Sequence, residues 1–351
     1  NRSGNNLIKC QQGPQLSPPD RLSGRPCLTL ELEKMTEYKK YLVTGGAGFI
    51  GSHLVEELIS RQYQVRVLDD FSSGKEENLA PFNSKIEIIR GDIRNMETCR
   101  RAAAGMEVIL HEAALASVPR SISEPFLAHE INLTGTLNLL QAAVEAGTKS
   151  FVFASSSAVY GDDQVFPKQE GSEGKPLSPY AAQKLASEKY CQVMSLLHDF
   201  NAISLRYFNV FGPRQDPNSQ YAGVIPIFIK RLLAGQPPVI YGDGGQTRDF
   251  IYVGNVVKAN LLAAQAECFR GEVFNIGSAE RITINDLARE IASCLGQPVK
   301  PEYAPPRPGD IRDSYASLEK ARKLLGFEPE IDFRQGLRLT VDWYKKKIGE
   351  Y

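Results

Sequence analysis

Apolar residues fall along this chain in two alternating rhythms. Short runs at Tyr41 to Val43, Val65 to Asp69, Ile86 to Arg90, Val108 to His111, Ser150 to Ala154 and Ile203 to Tyr207 have the length and composition of buried strands. Longer segments between them carry apolar residues at helical spacing. From Pro125 to Gly147 the residues Phe126, Leu127, Ile131, Leu133, Leu137, Leu139, Leu140 and Val144 recur in that way and Gly147 stops the run, which predicts one long helix. A second is predicted from about Pro179 to Phe200. Strand alternating with helix predicts an α/β fold, a doubly wound parallel sheet whose ligands lie at the carboxyl ends of its strands. Beyond Ala202 the rhythm loosens into proline-bearing loops, helices at Pro226 to Ala234, near Val253 to Glu267 and at Thr283 to Leu295, and strands at Val239 to Tyr241 and Val273 to Ile276. This predicts a smaller α/β lobe, partly interleaved with the sheet.

The first strand-to-helix turn reads Thr44-Gly45-Gly46-Ala47-Gly48-Phe49-Ile50-Gly51. Gly45 permits a tight turn, Gly48 lets the backbone approach a pyrophosphate, and Gly51 lets the helix pack closely on the strand. Helix-terminal N–H groups and the helix dipole then face an anion. Asp69 ends the next strand about 20 residues further on, where a carboxylate accepts from both hydroxyls of an adenosine ribose and repels a 2′-phosphate. The pattern predicts a dinucleotide site that prefers NAD to NADP. The third strand ends in Gly91-Asp92-Ile93, on the adenine side of such a site, where Asp92 can accept from the adenine amino group or cap the next helix. After the fourth strand, Glu112-Ala113-Ala114-Leu115-Ala116-Ser117-Val118-Pro119-Arg120 reads as a turn of small residues that lets backbone lie against a cofactor. His111, in an apolar strand with no obvious partner, reads as a packed residue rather than a catalyst.

The 351 residues, 42% hydrophobic and 23% charged, suffice for a full core. Lys+Arg and Asp+Glu balance at 41 each, which removes the global field that draws a chain to nucleic acid or an anionic membrane, so any anion site is local. The six cysteines are scattered, form no metal-ligand grouping with the four histidines, and suggest a reducing cytoplasm. No apolar stretch reaches the roughly 18 residues of a membrane span, and the amino terminus lacks the apolar core of a signal peptide, which reads as a soluble, unexported chain. Residues 1–34 are polar and aperiodic and read as a disordered or artificially added extension. The alternation of Leu28, Leu30 and Leu32 leaves open an arm on a partner subunit.

The second long helix opens with Tyr180-Ala181-Ala182-Gln183-Lys184, which places Tyr180 and Lys184 one turn apart on one face. An ammonium so close favours a phenolate and makes the tyrosine a usable base. Ser155-Ser156-Ser157 follows the fifth strand, one crossover earlier. The glycine loop, Gly91-Asp92-Ile93, this serine cluster with Val159-Tyr160-Gly161, the Tyr180/Lys184 pair and Arg206-Tyr207-Phe208-Asn209 together resemble the extended short-chain dehydrogenase/reductase family, in its nucleotide-sugar epimerase branch. The resemblance runs from Lys40 to the carboxyl terminus.

The resemblance implies a Rossmann NAD-binding domain over 35–210 and a lobe over 211–351 that mainly binds a UDP-sugar. NAD would be held by Gly45, Gly48, Phe49, Ile50, Gly51, Asp69, Asp92, Ile93, Ala113, Ala114, Tyr180, Lys184 and Tyr207. It implies Tyr180 as the acid/base, Lys184 as the group that orients the ribose and lowers the tyrosine pKa, and Ser156 as the group bonding the reacting hydroxyl, with Ser157 the close alternative. Related 4,6-dehydratases carry an Asp-Glu pair after that serine or threonine, and decarboxylating relatives a glutamate at the second position, where this chain has Ser157 and Ala158. A diphosphate clamp from Arg248 and Arg307 is implied, paired guanidiniums whose planar forks suit the task, with a phosphate contact at Asn209 and a uridine wall at Val224, Ile240 and Tyr241.

The activity so implied is NAD-dependent 4-epimerisation of a UDP-hexose by transient oxidation at carbon 4. The implied assembly is a homodimer joined by the two long helices as a four-helix bundle, although their leucine stripes are equally expected of helices packed on the sheet. In UDP-hexose epimerases a tyrosine shortly after the segment matching Arg307 to Asp310 restricts the pocket to a 2-hydroxyl, and this chain has Ser314 there. Ser117 lies in a loop, Ala116 to Ser121, similar to that of UDP-N-acetylglucosamine 4-epimerases. Both positions point to UDP-N-acetylglucosamine and UDP-N-acetylgalactosamine. The UDP-glucose/UDP-galactose and UDP-glucuronate pairs are the alternatives, and a cofactor-sensing regulator is the rival of another class. Neither a metal nor a nucleic-acid or membrane partner is expected.

Overall fold

The computed structural model describes residues 38–198, 200–217, 223–267, 269–306 and 312–349. The predicted extension over 1–34 lies outside them. Seven of the apolar runs form one sheet: β1 (Lys40–Thr44), β2 (Gln64–Asp69), β3 (Ile86–Arg90), β4 (Val108–His111), β5 (Ser150–Ser156), β6 (Asn201–Tyr207) and β7 (Arg270–Ile276). Their order is β7-β6-β5-β4-β1-β2-β3, and every pairing is parallel. Alternation along each strand sorts the core. Tyr41 and Val43 join one buried cluster with Leu54 and Leu58 of the first helix, Phe49–Ser60, and Val256 and Leu261 of the helix Val253–Gln265. Leu42 points the other way, into a second cluster with Leu139, Leu140, Cys191 and Met194. Both faces are dry, which is why the strands read as continuous apolar runs. The chain leaves β3 to add β4 on the far side of β1, and the carboxyl ends of β1 and β4 flank the crevice at that switch.

A third cluster, with Phe228, Ile229, Leu287, Ile291, Phe333 and Leu337, forms the core of the second lobe. Short strand pairs frame it, Val239–Tyr241 with Glu302–Ala304, Asn209–Phe211 with Phe250–Tyr252, and Thr247–Arg248 with Ile282–Thr283. The helix Val253–Gln265 and β7 come late in the chain yet pack into the main sheet, so the second half of the sequence is interleaved with the first.

Local chemistry changes several expected boundaries. The helix expected from Pro125 to Gly147 is continuous, but Glu130–Thr134 forms a π turn between α-helical Pro125–His129 and Gly135–Ala146, and Gly147 closes it with φ 69°. The small-residue turn after β4 ends early because Val118–Ser123 is helical, its start capped by Ser117 Oγ, which accepts from the Arg120 N–H at 3.1 Å. Asp92 does not cap the helix Met96–Ala103. Asn95 does, accepting from the Thr98 N–H at 2.9 Å, while Asp92 accepts from the Arg94 guanidinium at 2.6 and 2.8 Å. The helix Pro179–His198 stops short of Phe200, which packs into the second cluster. Two carboxyl-terminal helices, Glu319–Leu325 and Phe333–Gly349, have no counterpart in the sequence expectation. Among the described residues no helix is long and apolar enough to cross a membrane.

Candidate active site

The loop after β1 turns back at Gly45, where φ is 66° and a Cβ would lie 2.8 Å from the Ala113 nitrogen. A Cβ at Gly51 would lie 2.2 Å from the Gly45 oxygen, so the first helix can approach the turn only with glycine there. That helix begins after Gly48 with no side chain capping its first N–H groups, which leaves the amides of Phe49, Ile50 and Gly51 to an anion. Asp69, nearly buried at the end of β2, accepts from the Ala47 N–H at 2.9 Å and the Phe71 N–H at 2.8 Å. Burial raises its pKa, those two bonds oppose the rise, and its remaining lone pairs can accept ribose hydroxyls. Ala113 and Ala114 follow β4 beside Gly45, with Ala113 N–H donating to Thr44 Oγ1 at 3.2 Å. Ile93 is buried beyond β3, and Asp92 is half-exposed and tied to Arg94. The cradle fits NAD.

His111 has partners that its strand did not reveal. Its Nδ1 lies 2.7 Å from Thr44 Oγ1 and its Nε2 3.0 Å from Thr136 Oγ1, and burial pushes its pKa down to about 3. It is a neutral packed bridge.

The three serines after β5 take three separate places. Ser155 donates to Glu188 at 2.5 Å, and Glu188 in turn accepts from Arg206 at 2.9 and 2.7 Å, which anchors the strand from within the core. Ser156 Oγ accepts from the Ala158 N–H at 3.2 Å, and its hydroxyl is the group that pulls the Tyr180 pKa down. Ser157 starts the 3-10 turn Ser157–Tyr160. Tyr180 itself is held by its N–H, which donates to Ser121 Oγ at 3.1 Å. One turn later Lys184, 3% exposed, donates from Nζ to the Ala154 carbonyl at 2.6 Å and lies 5.9 Å from the Tyr180 ring centroid.

The expected lowering of the tyrosine pKa by Lys184 is absent. Burial raises the Tyr180 phenol, the Ser156 hydroxyl opposes the rise, and the Glu112 charge adds to it. The ammonium is committed to a backbone carbonyl and sits over the ring. Burial also depresses Lys184 to about 8, against the opposing pull of Glu112. Sequence reasoning passed over Glu112 because it is one polar position in a turn of small residues. Its carboxyl accepts from the Tyr207 hydroxyl at 2.8 Å, and that oxygen accepts from Asn260 Nδ2 at 2.7 Å. Burial pushes the Glu112 carboxyl up to about 7.

On the lobe side, half-buried Arg248 donates to the Thr247 carbonyl at 2.8 Å, and Arg307 lies outside the described residues. Half-buried Asn209 donates from its backbone N–H to the Asp249 carbonyl at 2.9 Å. Val224 opens the helix Val224–Leu233. Ile240 is buried in the lobe core and Tyr241 is 37% exposed on the opposite face of their strand, so their side chains do not share one wall. Ser314 is half-buried between Asp313, which accepts from Thr247 Oγ1 at 2.5 Å, and Tyr315, whose ring stacks on Phe166 at 5.7 Å. Ser117 is buried as the helix cap. Asp249, also passed over, is a buried carboxylate accepting from Ser278 N–H at 2.6 Å, Ser278 Oγ at 2.8 Å, and the Ala279 and Ala316 N–H groups at 3.0 Å each.

A parallel sheet with an uncapped glycine turn at its switch point and a Ser-Tyr-Lys group at the mouth of β5 defines a dinucleotide-dependent enzyme of the extended short-chain dehydrogenase type. The chain belongs to the NAD dependent epimerase/dehydratase family, whose profile it matches over residues 41–277. The UDP-glucose 4-epimerase of Mycolicibacterium smegmatis is 40% identical over 310 residues, which span 87% of this chain and 98% of that protein. The solved structure of UDP-N-acetylglucosamine 4-epimerase from Methanobrevibacter ruminantium, in complex with UDP-N-acetylmuramic acid, is similar at a TM-score of 0.84 and 41% identity, covering 89% of this chain and 99% of that one. The UDP-glucose 4-epimerase of Thermus thermophilus, solved in complex with NAD, is similar at a TM-score of 0.79 and 40% identity, covering 87% and 98%. NAD is the cofactor.

Proposed function

We propose that this protein is a UDP-sugar 4-epimerase whose substrates are UDP-N-acetylglucosamine and UDP-N-acetylgalactosamine. The observation that carries the reaction type is the grouping of Ser156 at the end of β5 with Tyr180 and buried Lys184 one helical turn apart, with Ser157 and Ala158 where elimination or decarboxylation would need carboxylates. When bound, NAD supplies the hydride acceptor and donor. Tyr180 takes the proton of the 4-hydroxyl and returns it, and Ser156 holds the same oxygen in line. Lys184 supplies fixed positive charge beside the pair and orients the cofactor ribose. Arg248, Arg307 and Asn209 grip the diphosphate, so the sugar is free to present either face of carbon 4 to the same tyrosine. The acetamido preference is supported by the small side chain of Ser314 beside the Phe166–Tyr315 stack. The mycobacterial relative, named for UDP-glucose, favours the non-acetylated pair as the second reading.

Purified protein incubated with each UDP-sugar and analysed by chromatography tests this directly. An epimer pair, formed with higher kcat/KM from the N-acetylated substrate, is expected. Accumulating NADH would mark a net oxidoreductase instead, and absence of turnover a cofactor sensor.

The same proposal includes a homodimer. Ile122 and Phe126 on one side, and Tyr190, Val193, Leu196 and Leu197 on the helix Pro179–His198, are exposed, with Phe126 at 86% and Leu197 at 71%. The spacing of Tyr190, Val193 and Leu197 puts them on one helical face, which supports a helix-on-helix contact with a second copy. A reducing cytoplasm is supported by the unpaired thiols of Cys99, Cys191 and Cys294.

A further inference from the structure

Tyr180, Lys184 and Glu188 are spaced by four, so they lie along one face of the helix Pro179–His198. The last two tie that helix to the end of β5. Lys184 Nζ donates to the Ala154 carbonyl at 2.6 Å, and Glu188 Oε1 accepts from Ser155 Oγ at 2.5 Å. The two residues immediately before Ser156 are thus both held by the helix that carries Tyr180. The second tie is built on buried charge, since Glu188 and Arg206 are both almost wholly enclosed. Arg206 on β6 is the direct cross-strand partner of Ser155 and forks onto both Glu188 oxygens, from Nε at 2.9 Å and from Nη2 at 2.7 Å. Its Nη2 also donates to Glu173 at 2.5 Å, and its guanidinium carbon lies 4.9 Å from the centroid of the Tyr160 ring. One cation therefore contacts both the helix carboxylate and the turn that follows Ser156.

A buried ion pair of this kind adds little stability over apolar side chains of the same volume. What its two parallel bonds do fix is distance and angle. We propose that Glu188, anchored by Arg206, is a positioning residue that sets the spacing between Ser156 and Tyr180 through its bond to Ser155. The proposal rests on Ser156 and Tyr180 having the roles given above. Without that bond the end of β5 can shift against the helix, and Ser156 then no longer holds the sugar oxygen in line with the tyrosine. A displacement of about 1 Å at a reacting centre costs up to roughly a hundredfold in rate.

Ser155→Ala removes the tie and leaves the Glu188–Arg206 pair intact. The holoenzyme and this variant are compared for kcat and KM on UDP-N-acetylglucosamine and on UDP-glucose, and for amide hydrogen exchange. Turnover per bound NAD is expected to fall about ten- to a hundredfold, with KM held within about twofold. Exchange should quicken at Ser156 to Tyr160 and in the first two turns of the helix, and stay unchanged in β1 to β3. Ser155→Thr, which keeps the hydroxyl, should restore most of the turnover. Glu188→Asp keeps the charge on a shorter stem and should lower kcat in the same way, and it serves if Ser155→Ala does not fold. Turnover within about twofold of the unmodified enzyme, exchange quickened equally throughout the sheet, or no rescue by Ser155→Thr overturns the proposal. An active Tyr180→Phe, made alongside, would overturn the assignment of the base, while exchange at Ser156 to Tyr160, which needs no turnover, would still decide whether Glu188 holds the strand end.

Discussion

Asp249 ties the lobe together beside the clamp residue Arg248, and replacing it by the isosteric asparagine isolates what its charge does. Oδ1 accepts from the Ser278 N–H and hydroxyl, and Oδ2 from the Ala279 and Ala316 N–H groups, at 2.6 to 3.0 Å. An amide keeps one of these oxygens and puts an NH2 in place of the other; it fits best with the NH2 at the Oδ1 position, where the Ser278 hydroxyl can turn round and accept, so that the Ser278 N–H bond is the one lost. Hydrogen bonds to a charged acceptor contribute about 1.5–3 kcal/mol each, and the two bonds kept at the other oxygen weaken as the charge goes, which sets the gross loss at roughly 2–4 kcal/mol. Relief of burying a carboxylate, the effect that raises the Asp249 pKa, offsets part of it and leaves a net loss of about 1–3 kcal/mol. Urea unfolding of Asp249→Asn should show that fall at unchanged m. Because Ala316 lies two residues past Ser314, the loosened segment should also raise KM for the UDP-sugar while kcat stays within about twofold. A stability change below about 0.5 kcal/mol with KM unaltered would refute this account of the four bonds.

Tyr180→Phe should abolish interconversion while leaving NAD bound, and Lys184→Ala should lose activity and weaken NAD retention; near-normal turnover of Tyr180→Phe would remove the tyrosine from the chemistry. Leu197→Glu places a carboxylate in the exposed apolar face and should give a monomer by light scattering, whereas an unchanged dimer would place the contact elsewhere. Ser314→Tyr should depress activity on the N-acetylated pair at least tenfold, ~1.4 kcal/mol of transition-state stabilisation, and largely spare UDP-glucose and UDP-galactose. Equal losses on both pairs would refute the gate.

What could be read from the sequence follows from how local each constraint is. The glycine turn was legible because Gly45 and Gly51 collide with backbone only a few residues away, or with the next strand of the switch point, whatever the rest of the chain does. The central strands were legible because a sheet buried on both faces leaves an unbroken apolar run. Tyr180 and Lys184 were legible as neighbours because helical spacing alone brings them together. Their energetics were not, since the acceptor that captures the ammonium is Ala154, 30 residues back, and burial by the rest of the fold pulls the lysine pKa down to about 8. His111 looked unpartnered because Thr44 and Thr136 are 67 and 25 residues distant, and Asp249 gave no sign because its donors come from 278, 279 and 316. Spacing along one element thus identifies which groups meet, but the protonation state in which they meet is set by burial and by whichever acceptor another strand delivers. In this site that division runs between Lys184, whose place one turn after Tyr180 the helix dictates, and its hold on its proton, which burial weakens to a pKa of about 8.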